Sequence, residues 1–430
     1  MRLLLIMRKT HVWHADHIAT LRQMGFELHL LTELGDTAAD GRFASVRTIP
    51  AGRPVEQTVR EAVDLARKFD AHAAVTFQET DILVASLVNQ ALGHGWACPE
   101  ADLVARDKHR QRVLLARHGI PSVRFSPVDT VEEGLAAAGV LGYPLIVKPT
   151  RAAFSRGVAL VCEQAALERE LRNVHHLARS REGNYFTGEE DTFALLEEFL
   201  PGREVTLDGV VLFGRLHLAG VINKQDMPGP YFEEDYYTLP FRDPDREPEL
   251  VEIASAIVDA LGVRHCLFNV ELREDATGRF RVVEFSTRMS GGQNYHNLRE
   301  VHGLDVVRLY AKALTGATDE ATLLAGETPR LAPRRATCIK YAYRSGVVLR
   351  NTPGDAYLSP YFQSYIPIAR PGDRIARAPV AYDIAGSLSV AARYTGPRDI
   401  RAVEEIAAEL DRRLDALVVP DGAAVAGGCR

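Results

Sequence analysis

The sequence predicts an α/β protein with an open parallel sheet near its N-terminus, and two patterns support this fold class. First, apolar runs of strand length alternate with segments of helical length, at residues 1–7, 14–24, 26–31, 73–77 and 81–92. Such alternation is typical of parallel sheets that carry helices on both faces. Second, apolar and polar residues alternate across residues 268–292, which predicts an antiparallel hairpin in the second half of the chain.

The bulk composition is that of a globular protein and argues against several other classes. At 430 residues the chain has room for about three domains. A net charge of -6 without a dense Lys/Arg block gives no sign of a nucleic-acid surface. The sequence contains no run of about 18 apolar residues, so it predicts no membrane span. Five scattered cysteines without a CxxC spacing indicate neither a zinc site nor disulfides, so we expect a cytoplasmic protein.

The loop after the first strand has no GxGxxG pattern, which argues against a dinucleotide site. It is followed by a cluster of possible metal ligands, His11, His14, Asp16 and His17. A metal site and a solvated helix start both fit this cluster, and we favour the solvated helix start because no second ligand set accompanies it. The loop stays a candidate substrate edge, since ligands bind beyond the carboxyl ends of parallel strands.

The middle of the chain predicts a helical linker and then a small unit of strands and helices. We expect one helix over residues 101–118, and a capped helix that begins at Thr130 with Glu133 as its capping partner. The strand LIVKP ends with Lys148 and a proline. Because an unpaired ammonium is costly at the end of an apolar strand, Lys148 should have a buried anionic partner.

Three later segments are assigned from composition and spacing. Residues 228–244 are rich in aromatic and acidic side chains and are expected to be irregular. A helix is predicted over residues 247–261, and residues 311–331 are expected to be connecting material.

The hairpin in residues 268–292 holds the side chains on which the functional interpretation depends. Read with period 2, its apolar face consists of Val270, Leu272, Val283 and Phe285, and its polar face includes Glu271, Glu284, Ser286 and Arg288. Glu271 and Glu284 should lie directly or diagonally opposite each other, where carboxylates repel unless a cation lies between them or one is protonated. The pair predicts a Mg²⁺ site, and an exposed hairpin with solvated charges is the alternative for an isolated pair.

Five motifs in order along the chain resemble the ATP-grasp superfamily. They are Asp107-Lys108, GYPLIVKP around Lys148, the loop Ser155-Arg156-Gly157, EEFLPGRE from Glu197 to Glu204, and the hairpin FNVEL…VEFSTRMSGG. Each motif alone is common, whereas all five in this order form a specific pattern. The resemblance covers roughly residues 1–315 and looks most like the ATP-dependent carboxylate–amine ligases of the L-amino acid ligase type.

The resemblance implies a nucleotide site built from two lysines, a loop and a hinge. Lys108 and Lys148 would contact the phosphates of ATP, and the loop Ser155-Arg156-Gly157 would cover them. At the hinge, Glu197 would accept a hydrogen bond from the adenine amino group, and Glu204 would bind the ribose. The rest of the hinge would be Glu198, Phe199 and Leu200. The alternatives are a solvated helix lysine at Lys108 and core positions for Phe199 and Leu200.

The resemblance also assigns the metal ligands and the catalytic groups. Glu271 and Glu284 would hold Mg²⁺, for which Mn²⁺ would be a substitute. Many members have Asn where this chain has Ser286, so a shorter, neutral hydroxyl replaces the amide as a third metal ligand. Arg288 would stabilise the transferred phosphoryl group, with Lys148, Ser155 and Arg156 as further catalytic residues.

The implied reaction is ADP-forming ligation. A carboxylate of an amino acid or another small acid would be phosphorylated to an acyl-phosphate, from which an amine would displace phosphate to form an amide or peptide bond. Candidates for substrate recognition are the loop 229–237 and Arg288, Gly291, Gly292, Asn294 and His296, although an exposed loop and a glycine turn would also explain these segments. A biotin-carboxylase-like or purine-biosynthetic enzyme and a non-catalytic nucleotide-binding protein are the other functions left open.

Four regions follow from the resemblance. They are an N-terminal Rossmann-like domain (1–98), a linker helix with a lid subdomain (99–190), a catalytic ATP-grasp subdomain (191–315) and a C-terminal antiparallel α+β subdomain with a tail (316–430). The lid would shield the acyl-phosphate from water. The expected partners are ATP and the two small substrates, with neither nucleic acid nor membrane, and a homodimer is compatible with this organisation.

Overall fold

A computed structural model of the chain describes residues 1–9, 12–35, 41–152, 155–179, 194–225, 227, 229–233, 235–327 and 332–420, without the side chains of Val12, Ala178 and Arg179. It contains a parallel sheet at the N-terminus and antiparallel sheets after it, so the predicted fold class is confirmed. His11 of the histidine cluster lies outside the described residues. Within them, no helix is both long enough and apolar enough to span a bilayer.

The N-terminal region is an open parallel sheet covered on both faces. Its elements in chain order are β1 (Arg2–Ile6), α1 (Ala15–Gln23), β2 (Glu27–Thr32), β3 (Ser45–Thr48), α2 (Val55–Lys68), β4 (Ala73–Val75) and α3 (Ile82–Ala91), with strand order β3-β2-β1-β4. Leu3 and Leu5 of β1 pack into one core cluster, and Leu4 and Ile6 pack into another. After the exposed Arg2, strand β1 is apolar because each of its faces has a helical layer to pack against.

The linker consists of two helices, α4 (Pro99–Ala105) and α5 (Lys108–Arg117), so the prediction of one helix over residues 101–118 is wrong. The break occurs at Asp107, which has an extended backbone and accepts a hydrogen bond from the Arg110 N–H at 3.1 Å. An N-cap aspartate satisfies the first N–H groups of a new helix, and this stabilises the interruption.

The lid is a four-stranded antiparallel sheet with two helices. Its elements are β5 (Phe125–Val128), α6 (Val131–Leu141), β6 (Leu145–Pro149), β7 (Ala159–Val161), α7 (Gln164–Arg179) and β8 (Ala194–Glu198), in strand order β5-β8-β6-β7. The predicted cap is present, since Thr130 Oγ1 accepts a hydrogen bond from the Glu133 N–H at 3.1 Å. Strand β8 belongs to this sheet, although it follows the boundary predicted at residue 190.

The catalytic region adds β9 (Glu204–Leu212), β10 (Arg215–Lys224), β11 (Tyr236–Leu239), α8 (Glu247–Leu261), β12 (Cys266–Glu274), β13 (Phe280–Ser286), α9 (Asn294–His302), α10 (Val306–Leu314) and α11 (Glu320–Leu324). The expectation of an irregular stretch at 228–244 is wrong for β11, which pairs with β10. Residues 311–331 include the end of α10 and all of α11, so they are more than a connection. In both segments tertiary pairing and packing outweigh weak local propensity.

The C-terminal region contains β14 (Arg335–Ala342), β15 (Gly346–Val348), β16 (Phe362–Pro367), β17 (Arg374–Ile375), β18 (Gly386–Arg393), α12 (Arg398–Arg412) and β19 (Val418–Val419). The large sheet has the order β13-β12-β9-β10-β11-β14-β18-β16, and therefore runs through the catalytic and C-terminal regions. The small sheet has the order β17-β15-β19. The boundary at residue 315 stays a prediction, and the shared sheet places C-terminal side chains beside the catalytic hairpin.

Candidate active site

A cavity of about 220 Å³ lies where the N-terminal region, the lid and the large sheet meet. Most of the predicted site residues line it: Lys108, Lys148, Ser155, Arg156, Glu197, Glu198, Phe199, Leu200, Glu204, Glu271, Glu284, Ser286, Arg288, Gly291 and Gly292. These residues come from separate strands, helices and loops that the fold brings together. Gly157, Asn294 and His296 do not line the cavity.

The β12–β13 hairpin places Glu271 directly opposite Glu284, as the period of the sequence predicted. A bulge follows this pair, because Leu272 is paired with Val282 rather than with Val283. Val282 is therefore the fully buried residue, whereas Val283 lines the cavity, and its predicted place on the apolar face is wrong. A bulge adds a residue to one strand and so shifts the alternation that a regular strand would keep.

Each of the two facing carboxylates is paired with a lysine. Lys108 Nζ donates to Glu284 Oε1 at 2.8 Å. Lys224 Nζ lies 2.9 Å from Glu271 Oε2 and donates to Glu204 Oε1 at 2.7 Å. Burial would raise the pKa of Glu284, but Lys108, Lys148 and Arg288 together outweigh it and hold that pKa below its usual range. Cations thus hold the two facing carboxylates close together.

Lys148, Glu197 and Arg112 form a buried ion cluster under the cavity. Lys148 Nζ lies 2.6 Å from Glu197 Oε2, which confirms the expected anionic partner, and the Arg112 Nε donates to Glu197 Oε1 at 2.7 Å. Burial lowers the pKa of Lys148 to about 8, although the Glu197 carboxylate opposes this shift. Burial would raise the pKa of Glu197, but Arg112 and Lys148 lower it overall. The cluster holds a lysine whose charge a phosphate would stabilise further.

Arg288 is held by Glu79, which comes from the N-terminal region. The Arg288 Nε lies 2.6 Å from Glu79 Oε2, and the Ser286 hydroxyl donates to the same oxygen at 2.8 Å. Glu79 belongs to the short turn Glu79–Asp81, beyond the carboxyl end of β4, and lines the cavity. A substrate carboxylate that reached Arg288 would compete with Glu79 for the guanidinium.

The loop after β6 presents an unsatisfied donor to the cavity. The Arg156 Nε is buried and has no acceptor among the described residues, and the same holds for the buried Thr206 hydroxyl. Buried polar groups normally have partners, so these atoms suit a polar ligand. Gly157 has φ +73° and closes the turn, and a Cβ there would lie 3.1 Å from side-chain atoms of Pro149 and Leu177. Its contribution is therefore to the shape of the loop.

Two predicted substrate residues, Asn294 and His296, lie on α9 behind the cavity. Asn294 is buried and its amide donates to Ser290 Oγ at 2.9 Å, while His296 Nδ1 lies 3.4 Å from Asp16 Oδ2. Their direct contact with a substrate stays a prediction that this geometry does not support. Asn294 instead orients the Ser290 hydroxyl next to Gly291.

The expectation of a solvated helix start at the N-terminal histidines is wrong. His14 and His17 are buried, and their rings lie 5.8 Å and 4.5 Å from the Phe77 ring. Burial lowers the pKa of His17 well below its ordinary value, so this histidine is neutral. His14 and Trp13 line the cavity, which keeps the loop that carries them at the ligand edge.

The metal site that the hairpin predicts is incomplete without a ligand. Among the described residues, no group of three or more His, Cys, Asp or Glu side chains is placed to hold a metal ion. The oxygens of Glu271 and Glu284 fit Mg²⁺, which commonly takes one or two carboxylates together with substrate phosphates and water. Ser286 is buried and its hydroxyl donates to Glu79, which uses the hydrogen and leaves the oxygen lone pairs, so its coordination of a metal stays a prediction.

Three charged residues of the site, Lys224, Glu79 and Arg112, were not predicted from the sequence. Lys224 ends the apolar strand β10 as Lys148 ends β6, and the same pattern could have identified it. Glu79 follows β4 at the edge where ligands bind to parallel sheets, which is also a readable signal. No signal in the sequence could have identified Arg112, because one arginine in a charged helix does not reveal a partner 85 residues away.

Comparison with known proteins agrees with this geometry. Residues 141–296 match the family model described as ATP-grasp domain. The alanine–anticapsin ligase of Bacillus subtilis is 28% identical over 274 residues, which are 61% of this chain and 58% of the relative. Carnosine synthase 1 of Gallus gallus is 28% identical over 312 residues, 70% of this chain and 33% of that protein. The chain thus spans less than two thirds of the length of these relatives.

Solved structures show the same fold over almost the whole chain. The L-amino acid ligase from Bacillus licheniformis matches with a TM-score of 0.78 and 21% identity, over 97% of this chain and 98% of that one. A biotin carboxylase from Campylobacter jejuni matches with a TM-score of 0.69 and 16% identity, over 97% and 92%. Residues 141–296 thus match an ATP-grasp domain, and the fold of these solved structures extends over almost the whole chain.

Proposed function

We propose that the protein is an ADP-forming, ATP-dependent carboxylate–amine ligase. The observation that carries this proposal is the Glu271–Glu284 pair with Arg288 in the same cavity as the buried Lys148. Two facing carboxylates suit a metal ion that also binds phosphates. The cationic side chains of Arg288 and Lys148 suit the negative charge that develops in phosphoryl transfer. The relatives whose names are ligase or synthase support the same reaction class.

The proposed reaction has two steps. An oxygen of the substrate carboxylate attacks the γ-phosphorus of ATP, the bond from that phosphorus to the bridging oxygen breaks, and ADP leaves. The lone pair of a neutral amine nitrogen then attacks the acyl carbon, the carbon–oxygen bond to phosphate breaks, and the nitrogen loses a proton. The products are an amide, ADP and phosphate.

The chain supplies cations at both ends of the transferred group. Lys148, Lys108 and Arg156 would bind the phosphates, where positive charge offsets the negative charge of the nucleotide. Arg288 would hold the acid carboxylate and the developing acyl-phosphate with its planar fork. Glu271 and Glu284 would hold Mg²⁺, which supplies charge neutralisation on the phosphate oxygens when bound.

The nucleotide base would lie at the hinge after β8. Phe199 and Leu200 line the cavity there, and the Arg273 guanidinium lies 5.2 Å from the centre of the Phe199 ring. Glu197 already accepts from two cations, so an adenine amino group would use a remaining lone pair. Glu204, held by Lys224 and Arg273, would accept from the ribose hydroxyls.

The test is a screen for ADP and phosphate release in Mg²⁺ over pairs of carboxylic acids and amines. We expect release only when an acid and an amine are both present, and the Glu271→Gln variant should lose it. Formation of AMP and pyrophosphate would contradict the acyl-phosphate route. Release of ADP with bicarbonate, without any amine, would favour the carboxylase alternative.

A further inference from the structure

A row of three aromatic rings crosses the cavity beyond the metal carboxylates. The row consists of Tyr237 on β11, Tyr341 on β14 and Trp13 in the turn Val12–His14. The ring centres of Tyr237 and Tyr341 lie 5.7 Å apart, and those of Tyr341 and Trp13 lie 6.0 Å apart, each pair edge to face. All three residues line the cavity. Edge-to-face pairs at these distances support one another, so the row is a built wall.

The aromatic row begins at the reaction centre. Lys224 Nζ, which lies 2.9 Å from Glu271, is 6.0 Å from the centre of the Tyr237 ring. Gly292 follows Arg288 by four residues and packs on Tyr341 so closely that a Cβ at this position would collide with the tyrosine hydroxyl. One end of the row is therefore next to the metal carboxylates, and its middle is next to the segment that carries Arg288.

A second apolar wall reaches the same place from the N-terminal region. Phe77 lines the cavity two residues before Glu79, whose carboxylate holds Arg288 at 2.6 Å. His14 packs against Phe77 with ring centres 5.8 Å apart. From the C-terminal region, Ile384 also lines the cavity. The compartment between these residues and Arg288 is thus lined by rings and an aliphatic side chain, beside polar groups such as Gln78, Glu79 and Ser290.

We propose that this compartment selects carboxylic acids with an aromatic or other large apolar side chain. With its carboxylate on Arg288 in place of Glu79, such an acid would lay its side chain along the aromatic row, since Gly292, four residues after Arg288, packs on Tyr341. The driving force is removal of apolar surface from water together with ring–ring contact. This inference rests on the proposed function and names the class of acid that the enzyme activates.

The adenine ring is a different occupant and has a different place. The hinge residues Phe199 and Leu200 follow β8 of the lid, whereas the aromatic row is formed by β11, β14 and the N-terminal turn. Arg273 faces the hinge, with Phe199 and Phe232 at 5.2 Å and 5.7 Å from its guanidinium carbon. The hinge and the aromatic row therefore offer the nucleotide and the acid side chain different aromatic neighbours.

Binding is measured first, because it does not require turnover. The chain has two tryptophans, so Trp96→Phe leaves Trp13 as the single tryptophan, whose emission is excited selectively over that of the tyrosines. With Mg²⁺ and a non-hydrolysable ATP analogue, L-phenylalanine, 3-phenylpropanoate, L-alanine and L-glutamate are titrated while Trp13 emission is followed. We expect a saturable change with a phenyl-bearing acid and none with alanine or glutamate. The two phenyl acids then show whether the α-ammonium group is required. Equal or tighter saturation by alanine or glutamate overturns the proposal.

Turnover of the same acids with a common amine gives the second measurement. Trp13→Ala should raise the KM of the preferred phenyl-bearing acid by at least about tenfold, which is typical when a hydrophobic pocket loses contact area, while the KM of ATP stays unchanged. Tyr357→Ala is the matched control, because Tyr357 is an exposed aromatic residue outside the cavity. An unchanged KM in Trp13→Ala would overturn the role of the row.

The two measurements separate this inference from the proposed function. A saturable Trp13 signal without ADP release for any acid and amine would support the aromatic compartment and contradict the ligase. Turnover that favours alanine or glutamate would support the ligase and contradict the aromatic compartment. Thermal unfolding of each variant shows that it is folded before either result is interpreted.

Discussion

Nucleotide affinity should fall as the pH rises through about 8, because ligand-free Lys148 loses its proton there. Burial lowers the pKa of Lys148 to about 8, with Glu197 opposing the shift and Arg112 and Lys108 adding to it. The phosphates of a bound nucleotide would favour the charged form. The complex therefore keeps a proton that the ligand-free protein has already released.

The size of the effect follows from this pKa. If only the protonated form binds, the apparent Kd is larger than the intrinsic one by the inverse of the protonated fraction. For a pKa of about 8 that factor is about 1.1 at pH 7 and about 11 at pH 9. The affinity for a Mg²⁺-bound nucleotide should thus be about tenfold weaker at pH 9 than at pH 7.

Calorimetry at pH 7, 8 and 9, in buffers of different ionisation enthalpy, measures both the affinity and the protons taken up. Lys148→Met should bind more weakly at pH 7 and lose this part of the pH dependence, while its Glu197 keeps the Arg112 partner at 2.7 Å. Lys68→Met, which changes an exposed lysine on α2, is the matched control. Any change in the protonation of the nucleotide itself affects the parent protein and both variants equally. The same pH slope in Lys148→Met and in the parent protein would refute the reasoning.

The contribution of Lys148 to the free energy of unfolding should rise with pH, opposite to the change in nucleotide affinity. The pKa of this lysine is lower in the folded state than in the unfolded chain, so between about pH 8 and 10.5 the unfolded chain binds the extra proton. Stability rises with pH wherever the unfolded state binds more protons. The contribution of Lys148 to stability therefore rises across the window in which nucleotide affinity falls.

Two further predictions concern the hairpin and the residues behind it. Glu284→Gln removes the negative charge of a proposed metal ligand, so raised Mg²⁺ should restore part of its activity. Arg288→Lys keeps the positive charge but loses the planar fork, and should stay slow in the chemical step at any Mg²⁺ concentration. Single-turnover rates over a Mg²⁺ series check both, and a wild-type rate in Arg288→Lys would contradict the role of Arg288. Burial raises the pKa of Asp102 to about 6, and the hydrogen bonds from Thr287 and Ser86 oppose this shift. Between pH 3.8 and about 6 the folded state therefore holds a proton that the unfolded chain has released. The stabilisation from Asp102 is lost as the pH rises through that window. Asp102→Asn should therefore raise the free energy of unfolding by up to about 3 kcal/mol at pH 8 and change it little at pH 4, as measured by denaturant titration, and equal effects at both pH values would contradict this.

The sequence predicted the parts of the site whose signals are local. Glu271 and Glu284 are directly opposite each other, as predicted, because side chains that alternate with period 2 put both carboxylates on the same face of the hairpin. The anionic partner of Lys148 followed from the cost of a lone ammonium at the end of an apolar strand. Both inferences required only the residues in the strands themselves.

The misses without a readable local signal depended on contacts distant in the sequence or on a single local irregularity. Glu79 and Arg288 are 209 positions apart, and no periodicity in either segment indicates the other. The burial of His17 depends on Phe77 and Tyr295, which belong to other elements. The bulge at Val283 and the break at Asp107 each change a regular element by a residue or two, and such changes leave the average pattern intact.

We propose that the lysines on Glu271 and Glu284 make metal and nucleotide binding cooperative. In the ligand-free protein Lys108 and Lys224 already neutralise Glu284 and Glu271, so a lone Mg²⁺ would have to displace an ammonium that is held at 2.8 Å or 2.9 Å. A triphosphate offers those ammonium groups another anion and leaves the carboxylates to the metal. Thermodynamic linkage then requires the reciprocal effect, so Mg²⁺ must tighten the nucleotide by the same factor by which the nucleotide tightens Mg²⁺. Mg²⁺ and the nucleotide would therefore each bind more tightly in the presence of the other than alone.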